Sequence, residues 1–410
     1  MLQRTLRLYQ SSFAGLSKEV WLLSIVLLIN RSGSMVIPFL TVYLTGQRGF
    51  SLQDAGMVMS SYGLGSVAGS YIGGWFTDRN GFYRVQFWTL IGSGLAFWGV
   101  AGLESLPAMC AGIFVLSAVT DALRPANQAA IAYFSEPANL SRSYGLLRLA
   151  INLGFSIGPV MGGWLIAGFG YYTLFWVNGI AAIAAAFAYK ISFPKRIIAL
   201  APNKKAESDA GEPEPADLAA APERSAYRDP VFLLFVVLVC LQATVFMQFF
   251  GSLPVYLQQN WGYTEAQIGN LIALNGLLIV AVEMPLVHLA GERYGVLPII
   301  AFGSLLVGLS YLLLGVAGAG LLAATTFIVI ITFGEMLSMP FMNTWVASRA
   351  PFRRRGEYMG LQSIAWAVAF IIAPSLGLRW AAHWNFDSLW VFMGGVGVAS
   401  ALGFWLMRGR

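Results

Sequence analysis

Charge is scarce in this sequence. Lysine, arginine, aspartate and glutamate together make up 11% of the 410 residues, whereas soluble domains carry about 25%. Hydrophobic residues make up 57% of the chain. A soluble core cannot bury that much apolar surface, but a lipid bilayer can take it up. The composition therefore excludes an ordinary soluble protein and predicts an integral membrane protein that contacts lipid.

Cysteine and histidine are also rare, with two of each. Cys110 and Cys240 stand in apolar stretches and are interpreted as packing residues, not as a disulfide or a metal site. His288 and His383 belong to no HExxH pattern, and no CxxC is present, so we expect neither a metal nor a cofactor. The polar, basic start of the chain, followed by a long apolar run, predicts that no signal peptide is cleaved.

Long apolar stretches, separated by glycine, proline or charged clusters, run through the whole chain. A hydrocarbon core about 30 Å thick needs ~20 mostly apolar residues per helix. Twelve stretches meet that length, which predicts an all-α polytopic membrane protein with twelve transmembrane helices. They are 19–46, 53–77, 84–104, 107–135, 142–169, 171–193, 230–259, 265–290, 296–317, 320–349, 355–381 and 386–407. Candidate kinks inside them are Pro38, Pro125, Pro159, Pro254, Pro285, Pro340 and Pro374.

The basic residues are distributed unevenly between the two sides of the predicted membrane. If the N-terminus lies in the cytoplasm, twenty lysines and arginines face inward, and only Arg48 and Arg379 face outward. This bias follows the positive-inside rule and predicts that both termini are cytoplasmic. It also accounts for the net charge of +6 without a nucleic-acid partner. We expect a bacterial inner membrane, because neither a signal peptide nor an extra domain is evident.

The sequence repeats itself at an offset of 213 to 215 residues. Such duplication is typical of secondary transporters. It predicts two six-helix bundles, 1–193 and 230–410, joined by a polar linker at 194–229 that serves as a mobile cytoplasmic tether, with a regulatory role as the alternative. Matched pairs include Gly49 and Gly262, Ser51 and Thr264, Asp78 and Glu292, Arg79 and Arg293, Asp121 and Glu335, Tyr144 and Tyr358, and Pro159 and Pro374.

Six ionisable side chains lie inside the predicted helices, at Arg31, Asp121, Arg124, Arg148, Glu283 and Glu335. Each costs at least ~2.5–3.5 kcal/mol at a helix centre, so each needs a partner or a function. Asp121 and Arg124 are three residues apart and therefore share a helix face. If this pair separates, Asp121 is left desolvated and takes up a proton. We interpret Asp121 as a proton-coupling residue, with a permanent ion pair as the alternative.

Two glutamates are further candidates for proton coupling. Glu335 occupies the repeat position of Asp121, and no basic residue stands within one turn of it. Glu283, followed by Pro285, is similarly isolated along the sequence. Unpaired buried carboxylates are readily protonated, so both are predicted to exchange protons. The alternative for Glu283 is a hydrogen bond from a neighbouring helix.

Arginines and amides inside the helices are candidate contacts for a substrate. Either Arg31 or Arg148 can bind a substrate anion or hold a carboxylate. Gln242 and Phe246 follow helical spacing and predict an amphipathic pocket wall, with ordinary helix packing as the alternative. The predicted substrate-binding residues are Asn30, Arg31, Arg124, Arg148, Asn152, Gln242, Phe246 and Asn275.

The loop between the second and third stretches carries a recognisable motif. It resembles the Gly-x-x-x-Asp-Arg-x-Gly loop of the major facilitator superfamily. The matching residues are Gly74, Asp78, Arg79 and Gly81, while Arg84 alone stands for the family's basic pair. The resemblance implies a major facilitator fold in which two bundles rock about a cavity lined by helices 1, 4, 7 and 10. It also implies that the loop latches the inner gate, where its carboxylate binds basic groups and helix ends of the neighbouring bundle.

The fifth stretch carries a second motif. It resembles the Gly-x-x-x-Gly-Pro-x-x-Gly-Gly pattern of that superfamily's proton-driven exporters. The matching residues are Gly154, Gly158, Pro159, Gly162 and Gly163. Glycines on one face beside a proline suit a close, pliable contact, which we expect at the interface of the two halves.

Two further resemblances to motifs of that superfamily bear on the direction of transport. Arg124 is similar to the exporters' membrane-embedded arginine, although Asn127 and Gln128 replace the glycine that usually follows it. Glu335 and Pro340 are similar to the Glu-x-x-x-x-Pro element of proton-coupled peptide importers. The importers' acidic first-helix cluster is missing, since Asn30 and Arg31 stand there.

Together these features predict a monomeric secondary active transporter resembling the twelve-helix drug:proton antiporter group. We expect it to export a small organic solute, amphipathic or partly anionic, in exchange for protons. Proton-coupled uptake of a peptide-like or anionic substrate is the alternative. A membrane enzyme is disfavoured because the sequence shows no set of His, Cys and Asp residues that would mark a nucleophile site. A channel is disfavoured because matched halves with unequal buried charges suit rocking better than a symmetric pore.

Overall fold

The computed structural model describes residues 15–136, 139–193, 225–316, 318–351 and 354–409. Most of the predicted linker, 194–224, lies outside these ranges, as do several predicted inward-facing cations. Within the ranges the chain forms long helices and no strand. They are α1 (Lys18–Gln47), α2 (Leu52–Asn80), α3 (Phe82–Ala101), α4 (Leu106–Phe134), α5 (Leu140–Phe169), α6 (Tyr172–Ser192), α7 (Pro230–Gly251), α8 (Glu265–Arg293), α9 (Val296–Val316), α10 (Leu321–Arg349), α11 (Arg355–His383) and α12 (Phe386–Leu406).

These helices confirm the predicted all-α membrane architecture. In the described part of the chain, ten are long and apolar enough to cross a membrane. The other two are α2 and α3, with 29 and 20 residues. The observed bounds differ from the predicted ones by a few residues, because hydropathy marks the apolar core of a helix while capping groups decide where it ends.

Two helices are interrupted, and a third is followed at once by a short helix, each break lying shortly before a proline. In α1 the break lies between Ser32 and Val36, ahead of Pro38. In α4 it lies at Ala122, ahead of Pro125. After α7 it lies at Ser252, and a short helix (Leu253–Gln259) starts with Pro254 near its first position. Proline lacks an N–H and is tolerated in the first turn of a helix, so it marks the restart. By contrast, the helices run without interruption through Pro159, Pro285, Pro340 and Pro374.

The local structure at the start of α2 recurs at the start of α8. Gly49 and Gly262 adopt φ of +68° and +66°, a left-handed conformation that favours glycine. Two residues later, Ser51 and Thr264 cap the helices in reciprocal capping boxes. The duplication in the sequence is thus a duplication of backbone conformation.

The two halves meet through two helix pairs. We call the end with the α1–α2 turn the outer end, after the predicted orientation, and the opposite end the inner end. Helix α5 packs along α8, and α2 packs along α11. Gly63 of α2 lies against the backbone of Phe370 and Ile371 of α11, so these helices touch without intervening side chains. The α2–α11 contacts at Gly56 and Gly63 lie in the outer part of the seam, whereas an added Cβ at Gly356 or Gly360, near the inner end of α11, would meet no atom within 4 Å. In the described part of the chain the halves are thus packed closely at the outer end and loosely along α11 at the inner end, and we interpret this conformation as inward-open.

Candidate functional site

Three of the predicted charged residues lie at the middle of their helices. Arg31 on α1, Asp121 on α4 and Glu335 on α10 stand thirteen to sixteen residues from either helix end. At 1.5 Å per residue, this places them about 20 Å from both ends of the bundle. The ionisable groups are therefore concentrated at the depth where burying a charge costs most.

Asp121 and Arg124 form the ion pair that their spacing predicts. The Arg124 Nη2 atom donates to the Asp121 Oδ1 atom at 3.0 Å, across the interruption of α4 at Ala122. The Asp121 side chain is 3% exposed, whereas the Arg124 side chain is 60% exposed. The second carboxylate oxygen of Asp121 is buried and has no hydrogen-bond partner among the described residues. The cation of this pair is thus accessible, and its carboxylate is buried.

Arg31 lies close to the same pair but does not bind it directly. Its guanidinium lies over the ring of Phe155, 5.6 Å from the centroid. It interacts electrostatically with both Asp121 and Arg124. Arg31 also lines a small cavity of about 20 Å³ with Tyr62, a volume that suits about one water molecule. Asn30 lines that cavity as well, so this part of α1 faces the interior of the N-terminal half.

Arg148 and Glu283 form a second ion pair, which joins α5 to α8 across the two halves. The Arg148 Nη2 atom donates to the Glu283 Oε1 atom. The arginine side chain is 52% exposed and that of Glu283 is 10% exposed. In this conformation Arg148 holds a carboxylate, and Glu283 accepts a hydrogen bond from a neighbouring helix.

Glu335 differs from the other two carboxylates because it makes no ion pair among the described residues. The sequence left it without any partner, but the structure gives it one neutral donor. Asn275 Nδ2 on α8 donates to Glu335 Oε2 at 3.1 Å and to Thr332 Oγ1 at 2.9 Å. Glu335 also lies within electrostatic range of Glu283 and Arg148. Thr332, one turn before Glu335, was missed by the sequence analysis; its spacing on α10 is the signal that could have identified it.

Two further predicted substrate-binding residues, Gln242 and Phe246, are too buried in this conformation to line an open pocket. Gln242 is 2% exposed and Phe246 is 5% exposed. Both polar atoms of the Gln242 amide lack a hydrogen-bond partner in the described part of the structure. Phe246 stacks on Phe249 at 6.1 Å. Asn152 on α5 lies beside α8, where its carbonyl approaches Gly276.

The glycine motif of α5 faces two neighbours, which corrects the expectation of a single face at the interface of the halves. A Cβ at Gly154, Gly158 or Gly162 would meet the segment of α1 from Arg31 to Phe39, within the same half. Only Gly163 and the carbonyl of Pro159 contact α8 of the other half. The reason is helical periodicity: positions four apart form one stripe, and positions 159 and 163 lie about 100° away from it.

The motif between α2 and α3 forms a tight turn at the inner end. Gly81 adopts φ of +77°, which favours glycine at this position. Gly74 approaches Pro125 of α4, and the Arg79 guanidinium lies 4.0 Å from the ring centroid of Trp75. Asp78 and Arg84 are exposed, and neither makes a hydrogen bond or an ion pair with a described residue. Among the described residues, the carboxylate of the predicted latch therefore binds no cation in this conformation.

The outer end is closed by a hydrogen-bond cluster that the sequence analysis missed. The Tyr171 hydroxyl, at the start of α6, donates to Glu265 Oε1 at 2.6 Å. Gln258 Nε2 donates to the same oxygen at 2.9 Å. Tyr171 belongs to the first half and the other two to the second, so the carboxylate ties the halves together. These residues lie at helix ends, and no periodic pattern marks them.

The site as a whole consists of two arginine–carboxylate pairs and one carboxylate with an amide donor. In both pairs the arginine side chain is more than half exposed and the carboxylate is buried, so the accessible charge of each pair is cationic. Within the described ranges, no three His, Cys, Asp or Glu side chains come together as a metal site. The arrangement can bind an anionic group at the arginines and a proton or a hydrogen-bond donor at Glu335.

Comparison with known proteins gives a consistent picture. The family profile described as Major Facilitator Superfamily matches residues 20–374 and 250–410. A Na(+), Li(+), K(+)/H(+) antiporter of Planococcus maritimus is 26% identical over 392 residues, 91% of both chains. The tetracycline resistance protein, class C, of Escherichia coli is 24% identical over 345 residues, 80% of this chain and 81% of that protein. A crystal structure of the peptide transporter POT in complex with sulfate superposes with a TM-score of 0.79 at 17% identity, over 97% of this chain and 96% of that one.

Proposed function

The chain belongs to the Major Facilitator Superfamily, so it is a secondary transporter and not an enzyme, and on that premise we propose that it exports a small organic solute in exchange for protons. The solute class we propose is an amphipathic molecule with an anionic group and a hydrogen-bond donor. The transporter alternates between an inward-open and an outward-open arrangement of its two halves, with the charged groups at mid-depth reached from each side in turn.

The observation that carries this proposal is the environment of Glu335. It lies at mid-depth with one neutral donor, Asn275, and without an ion pair in the described part of the chain. Such a carboxylate can bind a proton or a donor group of the solute, but not both. Competition between the two is what antiport requires: the solute binds the ionised carboxylate inside, and a proton displaces it outside. The exposed guanidiniums of Arg124 and Arg148 supply contacts for an anionic group.

The names of two relatives support exchange with protons or export. One is an antiporter that moves protons against monovalent cations, and the other is a resistance protein against tetracycline. Because the accessible cavity charges are arginines, an organic solute suits this chain better than a bare metal cation.

Proton-coupled uptake is the second candidate, and a different feature favours it. A solute anion that takes Arg124 or Arg148 from its carboxylate leaves Asp121 or Glu283 desolvated, and that carboxylate then binds a proton together with the solute. Symport therefore runs through the paired carboxylates, whereas antiport runs through Glu335. The two mechanisms predict opposite directions of solute movement in one proton gradient.

The test is transport in proteoliposomes with an imposed pH gradient, with a panel of partly anionic organic solutes and, in separate arms, Na⁺, Li⁺ and K⁺. We expect the solute to move against the proton flow. Glu335→Gln should lower proton-driven flux about 5- to 150-fold, the usual range of a coupling free energy, while solute exchange without a gradient continues. The matched control is Glu104→Gln, an outer carboxylate that is 82% exposed.

Three outcomes contradict the proposal in different ways. Movement of the solute with the protons selects uptake. Proton release driven by the metal cations alone contradicts the solute class. Unchanged proton-driven flux in both Glu335→Gln and Asp121→Asn shows that the coupling residues are wrongly assigned.

A further inference from the structure

The outer part of the seam between α2 and α11 is packed closely through small residues. The Ser60 hydroxyl lies 2.6 Å from the carbonyl oxygen of Ile371 and 2.7 Å from the Ser375 hydroxyl. Ser375 in turn donates to the carbonyl of Gly56 at 3.0 Å. These contacts hold the two helix backbones together and leave no room for long side chains at the seam itself. Larger side chains are displaced to the flank, where they border a groove.

That groove has a volume of about 520 Å³ and is open at the protein surface, where apolar Ile372 and Leu376 of a membrane-spanning helix, and Trp384 at its end, are exposed. Ser60 and Ser375 form part of its lining, so both halves contribute to it. Its apolar part is formed by Ile371, Ile372 and Leu376, and its outer part by Arg379, Trp380, His383 and Trp384. The lining thus changes from aliphatic to cationic and aromatic along α11.

The dimensions of the groove match one leaflet of a bilayer. From Ile371 to His383 the helix advances twelve residues, about 18 Å at 1.5 Å per residue. One leaflet contributes about 15 Å to a hydrocarbon core that is about 30 Å thick. The aliphatic part therefore lies at acyl-chain depth, and the cationic part lies at headgroup depth. Trp380 and Trp384, with ring centroids 4.5 Å apart, stand where interfacial tryptophans are enriched.

Arg379 is a cation without a partner at this end of the molecule. It is exposed and makes no hydrogen bond or ion pair with any residue that the structure describes. The other predicted outer cation, Arg48, is already bound to the Tyr43 hydroxyl at 2.6 Å and lies 3.6 Å from Glu104. Arginine binds phosphate in a bidentate geometry, and Arg379 stands at the mouth of an apolar groove.

We propose that this groove is a binding site for one anionic glycerophospholipid of the outer leaflet. One acyl chain lies along Ile371, Ile372 and Leu376, and the headgroup phosphate binds Arg379, with His383 as a further polar neighbour. Because the groove spans α2 and α11, the bound lipid contacts both halves while the outer end is closed. It therefore favours the inward-open conformation over the outward-open one.

The experiment is native mass spectrometry of the full-length protein in detergent, titrated with phosphatidylglycerol or with phosphatidylcholine of the same acyl chains. The wild type should retain one phosphatidylglycerol at concentrations at which phosphatidylcholine is lost. Arg379→Gln should weaken this binding about tenfold or more, as expected for loss of a hydrogen bond to a charged group. Leu376→Trp, which fills the apolar part and keeps the cation, should weaken both lipids.

The matched control is Arg293→Gln, which removes an exposed cation at the inner end of α8 and should leave the tightly bound phosphatidylglycerol in place. Equal retention of both lipids by the wild type would overturn the proposal, and so would unchanged phosphatidylglycerol binding in Arg379→Gln. Loss of the bound lipid in Arg293→Gln would place the lipid site at the inner end of the molecule and would contradict the proposal. Monodisperse elution of each variant establishes that it is folded before the titration.

Discussion

Asp229 fastens the start of α7 to the inner ends of α10 and α11. One of its oxygens accepts from the backbone N–H of Phe232 at 3.1 Å and caps the helix. Both oxygens accept from Arg349, from Nε at 2.7 Å and from Nη2 at 2.8 Å. The Tyr358 hydroxyl donates to it at 3.3 Å. One carboxylate that is 4% exposed thus joins three helices of the second half.

This geometry predicts a stability difference that depends on pH. The Arg349 guanidinium holds the pKa of Asp229 below its ordinary value of 3.8. A carboxylate with a lowered pKa in the folded state adds stability above its unfolded pKa and loses it as pH falls through the folded value. Asp229→Asn should therefore destabilise the protein by about 1–3 kcal/mol at pH 7, because charged hydrogen bonds are lost.

The measurement is thermal unfolding in detergent between pH 7 and pH 3. The difference between wild type and Asp229→Asn should stay constant above about pH 4 and shrink below it, since the wild-type carboxylate then becomes protonated as well. Glu104→Gln, on an exposed carboxylate, should unfold like the wild type throughout. A wild-type advantage that persists undiminished at pH 3 would mean that the ion pair is not its cause.

At the scale of residues, a contact between two side chains could be predicted only when the two residues lie close together in the sequence. Asp121 and Arg124 stand three residues apart, so helix geometry alone placed them together. Arg148 and Glu283 are 135 residues apart. Only the packing of α5 on α8 brings them into contact, so the sequence could offer each as a candidate but not name the pair. The Asn275 donor to Glu335 was missed as a partner for the same reason.

At the scale of elements, α5 is one of the helices that connect the two halves. One glycine stripe lets α1 approach it, and the neighbouring stripe of Pro159 and Gly163 lets α8 approach it. A Cβ at Gly163 would lie 2.8 Å from the Cα atom of Ala266, and backbone there cannot yield as a flexible side chain can. Gly163→Ala should therefore weaken closure at the outer end and increase the outward-open population.

Double electron–electron resonance spectroscopy, which measures the distance between two spin labels, can detect that change in population. Glu104 and Leu321 are suitable positions, because both are exposed at the outer end and belong to different halves, and Cys110 and Cys240 are first replaced by alanine. The control is Gly168→Ala on the same helix, where an added Cβ meets no atom within 4 Å. Distances that lengthen equally in both variants would trace the effect to helix propensity and not to the contact with α8.

At the scale of helices, the sequence predicted those features that are set by residues close together in the chain. Capping residues such as Ser51 and Thr264 and the glycines before them are local signals, and they recur where the repeat places them. The break in α4 lies just before Pro125, which stands in the first turn of the restarted helix. By contrast, Pro159 and Pro374 lie inside continuous helices. Composition does not separate these two cases, since neighbouring helices decide whether a freed carbonyl is satisfied.

For the whole molecule, the sequence predicted the twelve helices and the two-fold repeat but not the state of the gates. A rocking transporter has one sequence and at least two packings, and hydrophobic periodicity is the same in both. In the structure, Tyr171 and Glu265 close the outer end, while Asp78 at the inner end meets no partner among the described residues. The structure thus represents one of these packings, which we interpret as the inward-open one.

The last prediction concerns the equilibrium between these arrangements. Asp78 lies in the final turns of α2, where the negative end of the helix dipole disfavours a carboxylate. Rocking of α2 against α11 to close the inner end would bring Asp78 towards the start of α11, where the dipole is positive. The carboxylate therefore favours the inner-closed state by about 0.3–1 kcal/mol, a two- to fivefold shift in population. Asp78→Asn should lower turnover and enrich the inward-open state.

Spin labels at Gln128 and Glu292, exposed residues at the inner ends of α4 and α8, report this equilibrium. Asp78→Asn should raise the share of long inner distances, while Asp78→Glu, which keeps the charge, should restore the wild-type distribution. Solute binding from the inner side should not weaken in either variant, because Asp78 is remote from Arg124 and Arg148 along their helices and Asp78→Asn enriches the inward-open state. If Asp78→Glu behaves like Asp78→Asn, the carboxylate acts through the shape of the turn at Gly81, and the electrostatic latch is the wrong description.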